Sequence, residues 1–369
     1  MKSKGTLTIA LCVLGSAIAL GQGQAPNLPP APANPPAPSL QSATDPGYAA
    51  LIATCKNAPP ARGGRGPGGA RGGAGARGGP APGPRDYKVT EIPGVIAAGQ
   101  QWKFVWQEAG NNGDGIVGTN DGGLLLAQND NSKVVKLVKK GKASVAYSDT
   151  HTGGALSISP KGAVFIVERG LHARVEQLAP KRKILADSIQ GDPLDCIGGV
   201  INDLTADSKG GVYFTMGGVF YASPNGVVTR YGENLTTNGV VLSANEKTLY
   251  VTNGTTLAAF DVQPDGSLTN QREFAKLEGG SGDGSIIDAA GRVYVTTNGG
   301  VEVIGPDGQR LGLIPTPRGV ITAAFGGKGK KTLYILARGA KAADGSEVAN
   351  AAQVWTIQMI AQGYKGRPK

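Results

Sequence analysis

After Asp86 the apolar residues fall in short runs of Val, Ile, Leu and Tyr, separated at close intervals by Gly, Asn, Asp and Pro. Short runs bounded by turn formers predict strands. No long stretch holds the 3.6-residue period of a helix, so the fold class is all-β. One hairpin pattern recurs six times: TNDGGLLLA from Thr119, SPKGAVFIV from Ser159, DSKGGVYFT from Asp207, SANEKTLYV from Ser243, DAAGRVYVT from Asp288 and GKGKKTLYI from Gly327. Each copy opens on a small or polar residue, passes through turn formers and enters an apolar strand, as a tight turn between two strands requires. Successive starts lie 40, 48, 36, 45 and 39 residues apart, the length of a four-stranded propeller blade. The pattern predicts one six-bladed β-propeller over residues 87–362. An open ring would leave strand edges free to pair with other chains. AQVWTIQMI, residues 352–360, is the expected closing strand, with the residues from Tyr87 to Trp106 paired beside it.

The chain ahead of the propeller has another texture. Lys2 and Lys4 precede a short apolar run from Thr6 to Leu20 that ends in Ala19-Leu20-Gly21, which reads as a signal peptide over residues 1–21. The product is then expected to be secreted or periplasmic. That run is short for a membrane span, and no later stretch is apolar enough to be one. Cys12 lies inside the run, not just after it, which argues against a lipid-anchored cysteine. Residues 22–86 are dominated by Pro, Ala, Gly and Arg and predict a disordered linker. Tyr48 to Cys55 (YAALIATC) is an exception able to form a helical turn or two. Residues 363–369 form a C-terminal tail.

Charge changes the picture less than its total implies. The formal net charge is +10, but Lys2, Lys4, Lys56, Arg62, Arg65, Arg71, Arg77 and Arg85 all precede the propeller, against only Asp45 and Asp86. The Arg-Gly-Gly repeats lack the interleaved aromatics of a nucleic-acid platform, so no nucleic-acid partner is expected, and contact with an acidic cell-surface polymer is the remaining use. Without the signal, two cysteines remain, Cys55 and Cys196; they are either bridged or free thiols, since sequence does not test the required Cα separation.

The repeat also aligns candidate chemistry. Five residues before each hairpin start stand Asp114, Gly154, Asn202, Asn238, Asp283 and Thr322, each opening what should be the innermost strand of its blade. Equivalent positions in a closed propeller share one height around the axis, so the side-chain oxygens of Asp114, Asn202, Asn238 and Asp283 are expected to converge. Two carboxylates and two amides form a hard-oxygen set, for which Ca2+ is the first choice and Mg2+, Mn2+ or Zn2+ are possible. Asp-Gly and Asn-Gly are also common turn dipeptides; the shared register favours the polar cluster.

NDLTADSKGGVYFT, TNGVVLSANEKTLYV, GDGSIIDAAGRVYVTTNGGVEVIGPDGQRLGLIPTP and AAFGGKGKKTLYI resemble the senescence-marker-protein-30/gluconolactonase family of six-bladed propellers. The resemblance implies hydrolysis of a sugar or related lactone at a single divalent cation. Matched by motif, it implies metal ligation by Asp114, Asn238 and Asp283 and a substrate contact by Asn202. The residues permit a mechanism in which Asp283, or a carboxylate behind the ligands such as Asp203, steers water as a base. The chain departs from the family where Asp114-Gly115-Ile116 replaces Glu-Gly-Pro, where Gly199 to Asp203 lack a polar neighbour of the substrate, and where Gly153-Gly154 replace Asn-Gly. A non-catalytic ligand-binding or scaffold propeller that retains the metal is the alternative. His151 and His172 stand outside the strand-entry register, and Trp102, Trp106 and Trp355 fall near the closure, where packing is expected.

Overall fold

The computed structural model describes residues 40–57, 59, 84–109, 111–138, 141–342 and 344–366. The predicted signal peptide and most of the Arg/Gly-rich linker lie outside the described residues. Six four-stranded antiparallel sheets stand around one axis. Their innermost strands are Gly113–Gly118, Gly153–Ile158, Leu204–Ala206, Thr237–Leu242, Ser285–Ile287 and Val320–Gly326, and they open blades 1 to 6 in chain order.

Blade 6 closes the ring. Its outermost strand is Lys103–Ala109, from the N-terminal side of the propeller, paired antiparallel to Glu347–Gln358 with Phe104 opposite Trp355 and Trp106 opposite Val354. Phe104 and Trp355 meet edge to face with centroids 5.4 Å apart, and the Trp102 indole donates to Pro315 O at 2.8 Å. The tryptophans therefore pack the seam.

The core is distributed between blades. One apolar cluster joins Phe165 and Val167 of blade 2 to Phe214 and Phe220 of blade 3, and another joins Leu126 of blade 1 to Leu336 and Val354 of blade 6. Each sheet is thus buried on both faces, which is why Leu124–Gln128 and Val164–Glu168 are buried at every residue rather than alternating. Outermost strands lose one neighbour, and Lys142–Tyr147 is almost wholly exposed.

The opening residue of the repeated hairpin has a mechanical role. Asp207 Oδ1 accepts from the backbone N–H groups of Lys209, Gly210 and Gly211, while Oδ2 accepts from the Tyr221 hydroxyl. Asp288 holds Ala290, Arg292 and Tyr294 in the same manner. Ser159 Oγ accepts from Ala163 N at 3.1 Å, and Ser243 Oγ from Thr248 N at 3.0 Å. A short side-chain acceptor at that point satisfies donors that the turn would otherwise leave unpaired.

The linker reading needs correction over residues 40–57. Ser42–Thr44 and Tyr48–Ile52 are short helices, and this segment is bound to blade 2 and to the insertion that follows it. Ser42 N donates to Arg169 O at 2.5 Å, Ser42 Oγ donates to Asp195, and Thr152 Oγ1 donates to Leu40 O at 3.1 Å. Lys56 N and Asn57 N both donate to the Asp192 carboxylate. Cys55 and Cys196 form a disulfide with Cα atoms 5.7 Å apart. The partners Asp192, Asp195 and Cys196 sit in an insertion between blades 2 and 3, made of a two-residue hairpin and the 3-10 helix Leu194–Ile197. That insertion accounts for the long 48-residue interval in the repeat. Composition alone does not reveal such anchoring, because the contacts that order the segment come from a distant part of the chain.

Candidate functional site

A pocket is lined by residues in the innermost strand of every blade or one to two positions ahead of it; it therefore lies on the axis. Asp114, Asn202, Asn238, Asp283 and Thr322 all line it. The structure thus brings the four oxygen-bearing register residues to one place, with Thr322 beside them. Gly154 has no side chain to contribute.

The glycines after the register residues are explained by close approach of innermost strands. A Cβ on Gly115 would lie 2.6 Å from Ala155 Cα, and one on Gly284 would lie 2.8 Å from Thr322 Cβ. Asp-Gly here marks tight strand packing on the axis, not a turn. Adjacent blades are also tied at this height by hydroxyls: Thr252 Oγ1 donates to Asp283 O at 3.3 Å, Thr296 Oγ1 to Ile321 O at 2.7 Å, and Thr215 Oγ1 to Asn238 O at 2.5 Å.

Between blades 2 and 3 that tie is made by an arginine. Arg169, one residue past the second strand of blade 2, is fully buried. Its Nε donates to Ile201 O at 2.9 Å, and its Nη2 donates to Asn202 O at 2.7 Å and to Asn202 Oδ1 at 2.9 Å. Nη2 also forms an ion pair with the Asp114 carboxylate. Asn202 Nδ2 donates onward to Asn238 Oδ1 at 2.9 Å. Arg338, on the second strand of blade 6, brings its Nη2 to 3.5 Å from Asp283 Oδ2. Neither arginine follows from the register, because both approach from outside the innermost strands. The available signal for Arg169 is Gly154, the register position without a side chain.

Asp283 keeps about a quarter of its side chain accessible, 24 %. Burial raises its carboxyl to about 7, with Asp114 and Asp203 adding to the rise and Arg338 and Arg169 opposing it. It is therefore able to exchange a proton near neutrality. Asp203 also lines the pocket, but its carboxylate accepts from Leu204 N at 2.9 Å and Val240 N at 2.8 Å. Its Oδ2 thus ties blade 3 to blade 4, while Oδ1 is held within blade 3. The histidines stand elsewhere: His151 Nδ1 lies 3.0 Å from Glu168 Oε2 and 2.8 Å from Arg174 Nη2, and His172 is exposed.

The expected divalent cation at Asp114, Asn238 and Asp283 does not fit this arrangement. One Asp114 oxygen faces a buried guanidinium, Asn202 Oδ1 takes the same guanidinium, Asn238 Oδ1 accepts an amide N–H, and Asp283 faces a second arginine. A dication on these oxygens would be set beside a positive charge that has no exit to solvent.

Fold and site define a six-bladed propeller with a polar pocket at the axis. A family model described as the SMP-30/Gluconolactonase/LRE-like region matches residues 144–339, more than half of the chain, and the chain belongs to that family. It is 29% identical over 217 residues to a gluconolactonase of Zymomonas mobilis, a match covering 49% of this chain and 60% of that protein, short of two thirds of its length. Over 233 residues it is 30% identical to lactonase drp35 of Staphylococcus haemolyticus, covering 55% of this chain and 69% of that protein. The fold is similar to that of a gluconolactonase from Xanthomonas campestris, with a TM-score of 0.62 at 20% identity over 76% of this chain and 98% of that one. It is also similar to that of regucalcin from Agrobacterium tumefaciens, described as a calcium-binding protein, with a TM-score of 0.53 at 17% identity over 68% of this chain and 91% of that one.

Proposed function

We propose that the protein hydrolyses a sugar lactone or a related lactone at the axial pocket. The observation that carries this reading is the placement of Asp283, a partly accessible carboxyl raised to about 7, against Asn202 and Asn238 in one pocket. Names of matched relatives, gluconolactonase and lactonase, supply the substrate class.

In this reading Asp283 takes a proton from a water molecule while the water oxygen adds to the lactone carbonyl carbon. The carbonyl oxygen becomes an oxyanion. The amide groups of Asn202 and Asn238, with the positive charges of Arg169 and Arg338 behind the pocket wall, favour that developing charge. Collapse of the tetrahedral species breaks the ring C–O bond, and the departing alkoxide takes the proton held by Asp283. The product is an open hydroxy acid. No step is assigned to a divalent cation.

Location outside the cytosol belongs to the same proposal. The Cys55–Cys196 disulfide supports it, because such bonds persist mainly in oxidising compartments.

The test is acid release from a panel of five- and six-membered aldonolactones, with aryl esters and phosphoesters alongside, followed with a pH indicator. Lactones are expected to be preferred, and Asp283→Asn is expected to lower kcat/KM by about 100-fold or more, the scale of a lost general base. Lactone hydrolysis no faster than in buffer alone would replace this reading with a ligand-binding propeller.

A further inference from the structure

We propose that Arg169 is the resident cation of the axial ring, occupying the place left by Gly154 and holding divalent metal out of the site. The inference does not depend on which lactone, if any, is hydrolysed.

The ring has six register positions, one per blade, and five carry a polar side chain: Asp114, Asn202, Asn238, Asp283 and Thr322. The sixth, Gly154, carries none. A Cβ there would stand 2.5 Å from Arg169 Nε, with Cζ nearer still. The guanidinium is therefore what fills the blade 2 position, entering from the second strand of the same blade. Glycine at 154 and arginine at 169 are two halves of one arrangement, since any side chain at 154 would exclude the guanidinium.

Its bonds show the role it plays. Nη2 engages Asp114 and Asn202 Oδ1, while the Ile201 and Asn202 carbonyls fix the guanidinium plane. A planar guanidinium with several donors can hold a carboxylate and two carbonyls at once, which a bare dication would do only by drawing them into a shell around itself. A fully buried guanidinium is tolerated only with a counter-charge, and Asp114 supplies it. Once Asp114 is committed, the remaining ring carboxylate is Asp283, which faces Arg338. Both register carboxylates thus already face a guanidinium. Nη1 is buried with no partner among the described residues, so the guanidinium has donor capacity beyond its protein bonds. The outer face of the same residue is also secured, by Ser42 N on Arg169 O.

The deciding experiment is the metal content of the full, disulfide-intact protein after dialysis into metal-free buffer, measured by plasma mass spectrometry. Thermal melts with and without EDTA and with millimolar Ca2+, Mg2+, Mn2+ or Zn2+ accompany it. Substoichiometric metal and melts insensitive to chelator and to added cation are expected. One tightly held ion per chain, or a Tm lowered by EDTA and restored by Ca2+, would overturn the proposal. Arg169→Met frees Asp114 and is expected to introduce a Ca2+-dependent rise in Tm, as binding to the folded state alone requires. A folded Arg169→Met protein with no such rise would show that the guanidinium is not what excludes the ion. If that variant does not fold, the metal content of the unaltered protein still decides. None of these readouts uses turnover, so a failure here is distinct from failure of the lactonase reading.

Discussion

Substituting Gly154 by Ala separates a structural account of the ring from a generic one. Gly154 does not use the left-handed backbone region, so on backbone grounds the change should stabilise the protein by about 0.4–1 kcal/mol through the unfolded state. The structure predicts the opposite sign. The added methyl would sit 2.5 Å from Arg169 Nε, and a long side chain could ordinarily swing away. Here its end is held by Ile201 O, Asn202 O, Asn202 Oδ1 and Asp114, in a position with no solvent access. Displacing it strands Asp114, which is only 7% exposed. Breaking one side of a buried pair costs about 3–5 kcal/mol, and water entering from the pocket recovers part of that. A net loss of about 2–4 kcal/mol is expected after the backbone gain is subtracted. Urea unfolding at neutral pH, followed by tryptophan fluorescence, measures it, with Arg169→Ala and the double variant completing a cycle. In the Arg169→Ala background the penalty should vanish. A Gly154→Ala protein as stable as the parent, or an equal penalty in both backgrounds, would refute the reasoning.

Three further outcomes follow from the geometry. Lys330 is buried against Gly118 O at 3.2 Å, and burial pushes its amine from 10.5 down to about 8. A depression of that size destabilises the fold by about 3 kcal/mol wherever both folded and unfolded forms are charged, which is below about pH 8. Lys330→Met should therefore raise stability at pH 7, and the advantage should shrink as pH rises from about 8 toward 10.5, where the parent sheds its proton; a pH-independent difference in urea midpoint would contradict it. Arg338→Gln removes the nearest charge holding the Asp283 carboxyl down, so the acidic limb of the kcat/KM profile, expected near pH 7, should move to higher pH, and an unmoved limb would exclude Asp283 as the base. Cys55→Ser opens a loop of sequence separation 141; a bridge of this kind contributes about 2–4 kcal/mol, and hydrogen exchange should rise over residues 42–57 and the 192–197 insertion while the blades stay protected.

The hairpin copies were legible because each must solve the same local problem. An acceptor such as Asp207 or Asp288 has to satisfy turn donors within a few residues, so the requirement is written in contiguous sequence. The seam was legible for a similar reason: the apolar strand around Trp355 needed a partner, and the run through Phe104 and Trp106 was the one available. The register residues were found because a repeat converts sequence spacing into height along an axis.

Arg169 and Arg338 were not visible in that way. Each acts across a blade boundary from a second strand, so neither shares the register of Asp114 or Asp283. The bond from Val240 N to Asp203 Oδ2 likewise crosses a blade boundary and leaves no mark in local sequence. The order of residues 40–57 was equally hidden, since Asp192, Asp195 and Cys196 lie more than a hundred residues away and composition carries no record of them.

By itself, then, the sequence determined what is local or periodic: strands, turns, six blades and the four oxygen-bearing residues at one height. Tertiary structure alone decided what those oxygens face. Charge compensation is a property of distance in space, and it was the approach of two arginines from outside the register that turned an expected metal cage into a ring already holding its own cations.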